Sequence, residues 1–182
     1  MQQPNLEALH QNAASNLESA LHHYEVASSD LEQEFVALKL QACIFQYDIC
    51  SEMVGLLRNK PTGFSAAVAL KGLILHLYEY DNLMNTTLIP RLIELAKSRG
   101  VSFDKGTVKD ARAQWKLELN RLRQWSDIRN KVAGHYGKDF KAQIALLKKI
   151  DPNEVIDVTR AFISFNKTIL EGLREVGQGS HK

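Results

Sequence analysis

At 182 residues and 45% hydrophobic, the chain is long enough to bury one sizeable core without metals or disulfides, and its ten Gly and four Pro are few for a turn-rich fold. The net charge of +2 hides a split: residues 1–50 carry one Lys against seven acids, a balance of −6, and residues 101–150 carry twelve Lys and Arg against five acids, a balance of +7. No run approaches the ~18 uncharged apolar residues of a membrane span, and Met1-Gln2-Gln3-Pro4-Asn5 lacks the basic head and apolar run of a secretory signal.

Leu6, Leu9, Ala13, Leu17, Ala20 and Leu21 recur at spacings of three and four, which predicts a first helix over about 5–24. Ser29 and Glu32 are spaced as a capping box for a long second helix through Leu31, Phe35, Ala42, Ile49 and Leu56, and Asn59 to Gly63 ends it. If Cys43 and Cys50 both lie on that helix, they stand ~10 Å apart along its axis, too far for an internal disulfide. Reduced core thiols are expected, and with them a cytoplasmic location.

A third helix is predicted from near Phe64 through Leu70, Ile74, Leu77 and Tyr80, with Pro90 kinking or interrupting its continuation. Leu92, Ile93 and Leu95 continue as a short helix stopping at Arg99-Gly100. After a loop over 102–106, Val108, Trp115, Leu119, Leu122, Trp125 and Ile128 line one side of a helix from about 107 to 129. Gly134 and Gly137 bracket a turn, 140–150 is amphipathic, and Asp151-Pro152 starts a last helix that reaches 176. No alternating strand, repeat or low-complexity linker interrupts this order. The prediction is an all-α fold: an antiparallel up-and-down bundle over 30–176, an N-terminal helical arm over 1–29 and a frayed tail over 177–182.

Few residues suggest chemistry. Glu7 and His10 have the Glu-x-x-His spacing of di-iron bundles, but no second copy occurs, and no Cys/His spacing suits zinc. Glu18, His22 and Glu25 share a face of the acidic first helix, where a solvated surface is expected. Metal and cofactor are therefore both expected to be absent. Phosphate-binding glycine loops and a serine nucleophile elbow are missing. His76 is expected at the core or bundle edge, bonded to a carboxylate. Glu79 and Asp81, near one helix centre, need solvent, a base or a shared proton, and either face a polar cleft or lie on the outer surface.

The segment from Gln124 to Tyr136 differs in kind. Arg129 lies seven residues after Leu122 and is expected on the same face, where a fixed cation is costly unless paired or used. His135 lies close enough along the chain to share a cleft with it. Guanidinium grips phosphate oxygens in a fork, and imidazole titrates near neutral pH, so the pair suits a phosphodiester. The bland alternative is a surface Arg and His flanking a turn.

Arg129, the polar Asn130, and His135 after five intervening positions resemble the Arg-x4-6-His signature of the HEPN superfamily, and the surrounding residues look most like its abortive-infection and toxin branch. The resemblance implies a homodimeric, metal-independent endoribonuclease with a composite cleft, an RNA substrate and an antitoxin or other regulatory protein. His135 would then do acid–base work, Arg129 would bind the scissile phosphate and Asn130 would orient one of them. Glu79 or Asp81 would be an auxiliary acid, and Lys131 and Lys138 would add charge for RNA. Members modified by nucleotidyl transfer carry Tyr two positions after the motif His; here Gly137 stands there and Tyr136 is adjacent, so that regulation is not expected. The alternative is a non-catalytic helical dimer that binds RNA or a protein partner.

Overall fold

The computed structural model describes residues 6–133 and 139–178, and every regular element among them is helical. Helix α1 (Leu6–Val26) lies along α2 (Asp30–Asn59) and turns Ala13 and Ala20 into the seam. Small side chains there let the two backbones approach. The predicted cap of α2 forms: Ser29 Oγ accepts from the Glu32 amide at 3.3 Å. Its return bond is displaced by one residue, because Glu32 Oε2 accepts from the Ser28 amide at 3.2 Å. The helix ends on Lys60 in the left-handed conformation (φ 42°), whose amide donates to the Leu56 carbonyl.

Helix α3 (Gly63–Leu83) does not stop before Pro90. It widens into a π-helical turn over Met84–Leu88 and resumes as α4 (Ile89–Ser98). The Ile89 amide reaches back to the Met84 carbonyl, so Pro90 falls in the first turn of α4, where its missing N–H is not needed. The expected interruption thus takes the form of one wide turn. At the far end Gly100 (φ 67°) closes a Schellman motif, with its amide on the Lys97 carbonyl and the Val101 amide on that of Ala96.

The helix predicted over 107–129 is broken into pieces. Asp104 caps an earlier start by accepting from the Thr107 amide at 2.9 Å, and α5 (Lys105–Gln114), α6 (Lys116–Gln124) and α7 (Ser126–Ile128) succeed one another. The breaks fall at Trp115 and Trp125, whose amides bond three residues back, to Arg112 and Leu122. Trp125 is buried in the core and Trp115 packs half-buried against it, and covering so large a side chain outweighs one regular helical bond. A second π-helical turn spans Arg129–Ala133, then α8 (Phe140–Leu147) and α9 (Pro152–Gln178) complete the described chain. Helix α9 thus extends past the predicted end at 176 and takes in the first residues of the expected tail.

Helix α9 carries the centre of the core. Phe162, Phe165, Ile169 and Leu173 meet Ile49 of α2, Leu73, Ile74 and Leu77 of α3, Leu92 of α4 and Leu122 of α6, all out of solvent. One polar chain crosses this core: the Tyr80 hydroxyl donates to Asn166 Oδ1 at 3.1 Å, and Asn166 Nδ2 donates to Gln46 Oε1 at 2.9 Å. Burial pushes the Tyr80 hydroxyl pKa well up, which keeps it a neutral donor. Cys43 and Cys50 are free and buried, and desolvation pushes both thiols up. No helix among the described residues is long and apolar enough to cross a membrane.

Candidate functional site

Arg129 opens the second π-helical turn, and the residues around it explain its placement. Ile128 and Val132 are buried and anchor the turn against α3, while Trp125 is locked into the core one turn earlier. The register that would set Arg129 on the face of Leu122 does not run through, because the helix breaks at Trp125. Leu122 is buried; Arg129 sits at the rim, with its side chain 40% exposed.

There the guanidinium is gripped from two sides. Its Nε donates to Glu79 Oε1 at 2.6 Å, and Nη2 bonds the same oxygen. Its Nη1 donates to Asn130 Oδ1 at 2.8 Å, and the Tyr78 ring lies 6.0 Å from the guanidinium carbon. Arginine has five N–H donors. Among the described residues these contacts engage one hydrogen on each of the three nitrogens, and no further hydrogen bond reaches the remaining hydrogen on either terminal nitrogen. The carboxylate offsets the positive charge, and half-exposure keeps the pair accessible to a ligand.

Glu79 and Asp81 part company. Two positions on a helix are turned by ~200°, so they face opposite ways. Asp81 pairs with Arg112 of α5, which also bonds Asn85 and stacks 5.1 Å from the Phe165 ring. Of the two expected acids, the structure brings Glu79 to Arg129 and ties Asp81 into packing between α3 and α5. Lys131 pairs with Asp127 at 3.1 Å on an exposed face, a pair worth little. His135 and Lys138, with Gly134, Tyr136 and Gly137, lie outside the described residues.

The other titratable candidates have separate partners. His76 Nδ1 lies 2.7 Å from Glu52 Oε1, at the bundle edge. That hydrogen bond raises the imidazole pKa against partial desolvation, with Asp48 adding to it. His10 bonds Ser51 at 2.9 Å and stacks on Tyr47, whereas Glu7 pairs with Arg58, so the Glu-x-x-His spacing does not converge. His23 meets Lys39. Among the described residues no three His, Cys, Asp or Glu side chains group to hold a metal ion.

Sequence reasoning missed Tyr78 beneath Arg129 and the Arg112–Asp81–Asn85 cluster. The helical angle between Glu79 and Asp81 does show that only one of them can face a given partner. Nothing local links Arg112 to a residue 31 positions away. The chain matches no family model, no curated protein and no solved structure.

Proposed function

We propose that the chain is a metal-independent endoribonuclease of toxin or phage-defence type, similar to HEPN ribonucleases and active as a homodimer in the cytoplasm. The observation that carries this reading is the Arg129 guanidinium, fixed at the rim by Glu79 and Asn130, with one hydrogen on each terminal nitrogen not engaged by any of the described residues. A guanidinium held in advance loses little entropy when it meets a phosphate, and the contact strengthens as charge develops on the phosphorane.

In the proposed reaction the 2′-hydroxyl of RNA attacks the adjacent phosphorus and the 5′-oxygen leaves. The products are a 2′,3′-cyclic phosphate and a 5′-hydroxyl. A base takes the 2′-hydroxyl proton and an acid returns one to the leaving oxygen; His135 carries acid–base work in this scheme. Arg129 binds the phosphate, Asn130 and Glu79 orient the guanidinium, and Lys131 and Lys138 add positive charge along the RNA. A regulatory protein that occludes the cleft would act as antitoxin. The buried free thiols suit a reducing compartment.

Purified protein incubated with RNA in excess chelator is expected to leave 2′,3′-cyclic phosphate ends. Arg129→Ala and His135→Ala should each lower the rate by ~10²-fold or more, with Asn130→Ala losing less. Failure to cleave any tested RNA, together with harmless expression, would sink the reading. One observation favours a non-catalytic dimer that binds RNA or protein: the carboxylate already on Arg129 makes a stable ion pair without any substrate. In that case Arg129→Ala changes partner binding and leaves no cleavage to lose.

A further inference from the structure

Away from Arg129, a cavity of about 580 Å³ opens where α1, the first half of α2 and the last turns of α9 meet. That volume falls in the ~300–1,000 Å³ range of small-molecule sites. Its floor is apolar, built from Phe35, Cys43 and Leu173, the last two buried.

Its charge is one-sided. Lys39, Lys167 and Arg174 line it against the single carboxylate of Glu171. Residues 1–50 contain one Lys and no Arg, and that one cation, Lys39, lines this cavity. Its Nζ lies 3.0 Å from His23 Nδ1, an imidazole that cannot neutralise it. Among the described residues Lys167 pairs only with Glu171, at 3.7 Å on an exposed face. Among the described residues no carboxylate lies within ion-pair reach of Arg174.

The aromatic wall is set before any ligand arrives. Arg99 stacks 5.0 Å from the Phe35 ring centroid and donates to the Val176 carbonyl at 3.0 Å, tying that ring to the end of α9. On α9, Gly177 lets the ring pack directly on the helix, since a Cβ there would lie 2.8 Å from Phe35 Cζ. An apolar surface, ready-shaped and edged by three cations against one carboxylate, is complementary to one class of molecule.

We propose that this cavity binds a small amphiphilic anion: a flat or aliphatic apolar body against Phe35, Cys43 and Leu173, with its phosphate or carboxylate between Lys39, Lys167 and Arg174. This site is independent of the ribonuclease reading, because none of its residues touches Arg129, Glu79 or Asn130.

The full-length chain titrated with 8-anilinonaphthalene-1-sulfonate should show one saturable fluorescent site. The exposed substitutions Lys167→Ala and Arg174→Ala, made together, should weaken it at least ~10-fold, and Lys39→Ala should weaken it too. Arg129→Ala should leave it unchanged. Displacement by adenosine 5′-monophosphate would identify a nucleotide-like ligand, and displacement by octanoate an acyl anion. The proposal fails if the dye does not bind, if the double variant binds it as wild type does, if Arg129→Ala removes it, or if neither competitor displaces it. Circular dichroism of each variant confirms that the loss is not unfolding.

Discussion

His76 shows how a single contact sets a pH dependence. Glu52 Oε1 holds its Nδ1, while Glu52 Oε2 is out of solvent and has no hydrogen-bond partner among the described residues. A buried carboxylate oxygen in that state is stabilised by a cation beside it, so the protonated imidazole is favoured and its pKa lies above 6.5. A raised pKa contributes stability that is complete below the unfolded value and is lost as pH rises through the folded value. The urea midpoint of the wild type should therefore fall as pH climbs from ~6 upward, and the fall should be smaller in Glu52→Gln. In the same pair of proteins, the His76 ring resonance should titrate at lower pH in Glu52→Gln; equal titration points would show that Glu52 is not the cause. The imidazole is 44% exposed, so the effect is modest and weakens with salt. At this scale the Arg129 prediction is equally local, since it depends on which hydrogens Glu79 and Asn130 leave free.

At the scale of elements, two helical glycines have opposite roles. Gly172 of α9 faces Phe103, and a Cβ there would lie 2.4 Å from the buried ring. Gly55 of α2 has nothing within 4 Å of that position. Replacing a helical Gly by Ala gains ~0.5–1 kcal/mol in backbone entropy, whereas forcing a methyl into a packed core costs ~1–3 kcal/mol. Gly55→Ala is therefore expected to raise the urea midpoint and Gly172→Ala to lower it. In a Phe103→Ala background the clash disappears, and Gly172→Ala should become neutral or stabilising. A Gly172→Ala protein as stable as wild type would show that the loop over 101–104 moves aside freely. Glycine content alone flags neither residue, because the difference lies in what approaches from another part of the chain.

Across the whole molecule, the Gln46–Asn166–Tyr80 chain joins α2, α9 and α3 at the centre of the core. Asn166 is fully buried, and the stacked Phe45 and Tyr80 rings, 3.6 Å apart, surround the link with apolar surface. Asn166→Leu would leave the Tyr80 hydroxyl and the Gln46 amide without their partner, at ~1–3 kcal/mol for each group that water cannot reach. Tyr80→Phe in the same protein should restore part of that loss, and calorimetric unfolding of the single and double variants would measure how much. If the two effects simply add, the network is not coupled.

Periodicity and caps belong to the chain itself. Helix α1, the Ser29 cap of α2, the Gly100 stop of α4 and the start of α9 near Pro152 were legible because each depends on neighbours within about a turn. The all-α class comes from the same local signals, and so does the prominence of Arg129 with Asn130. Only the tertiary structure decided the rest. Trp115 and Trp125 break a helix that periodicity makes continuous, because their indoles are drawn into a core assembled by distant residues. Glu79 rather than Asp81 meets Arg129 because helical geometry turns the two apart and Arg112, 31 residues on, claims the second. The cations around the α1–α2–α9 cavity come from residues 39, 167 and 174, which no local pattern connects. Spacing along a chain determines what a segment can form; which segments meet depends on packing energy summed over the whole molecule.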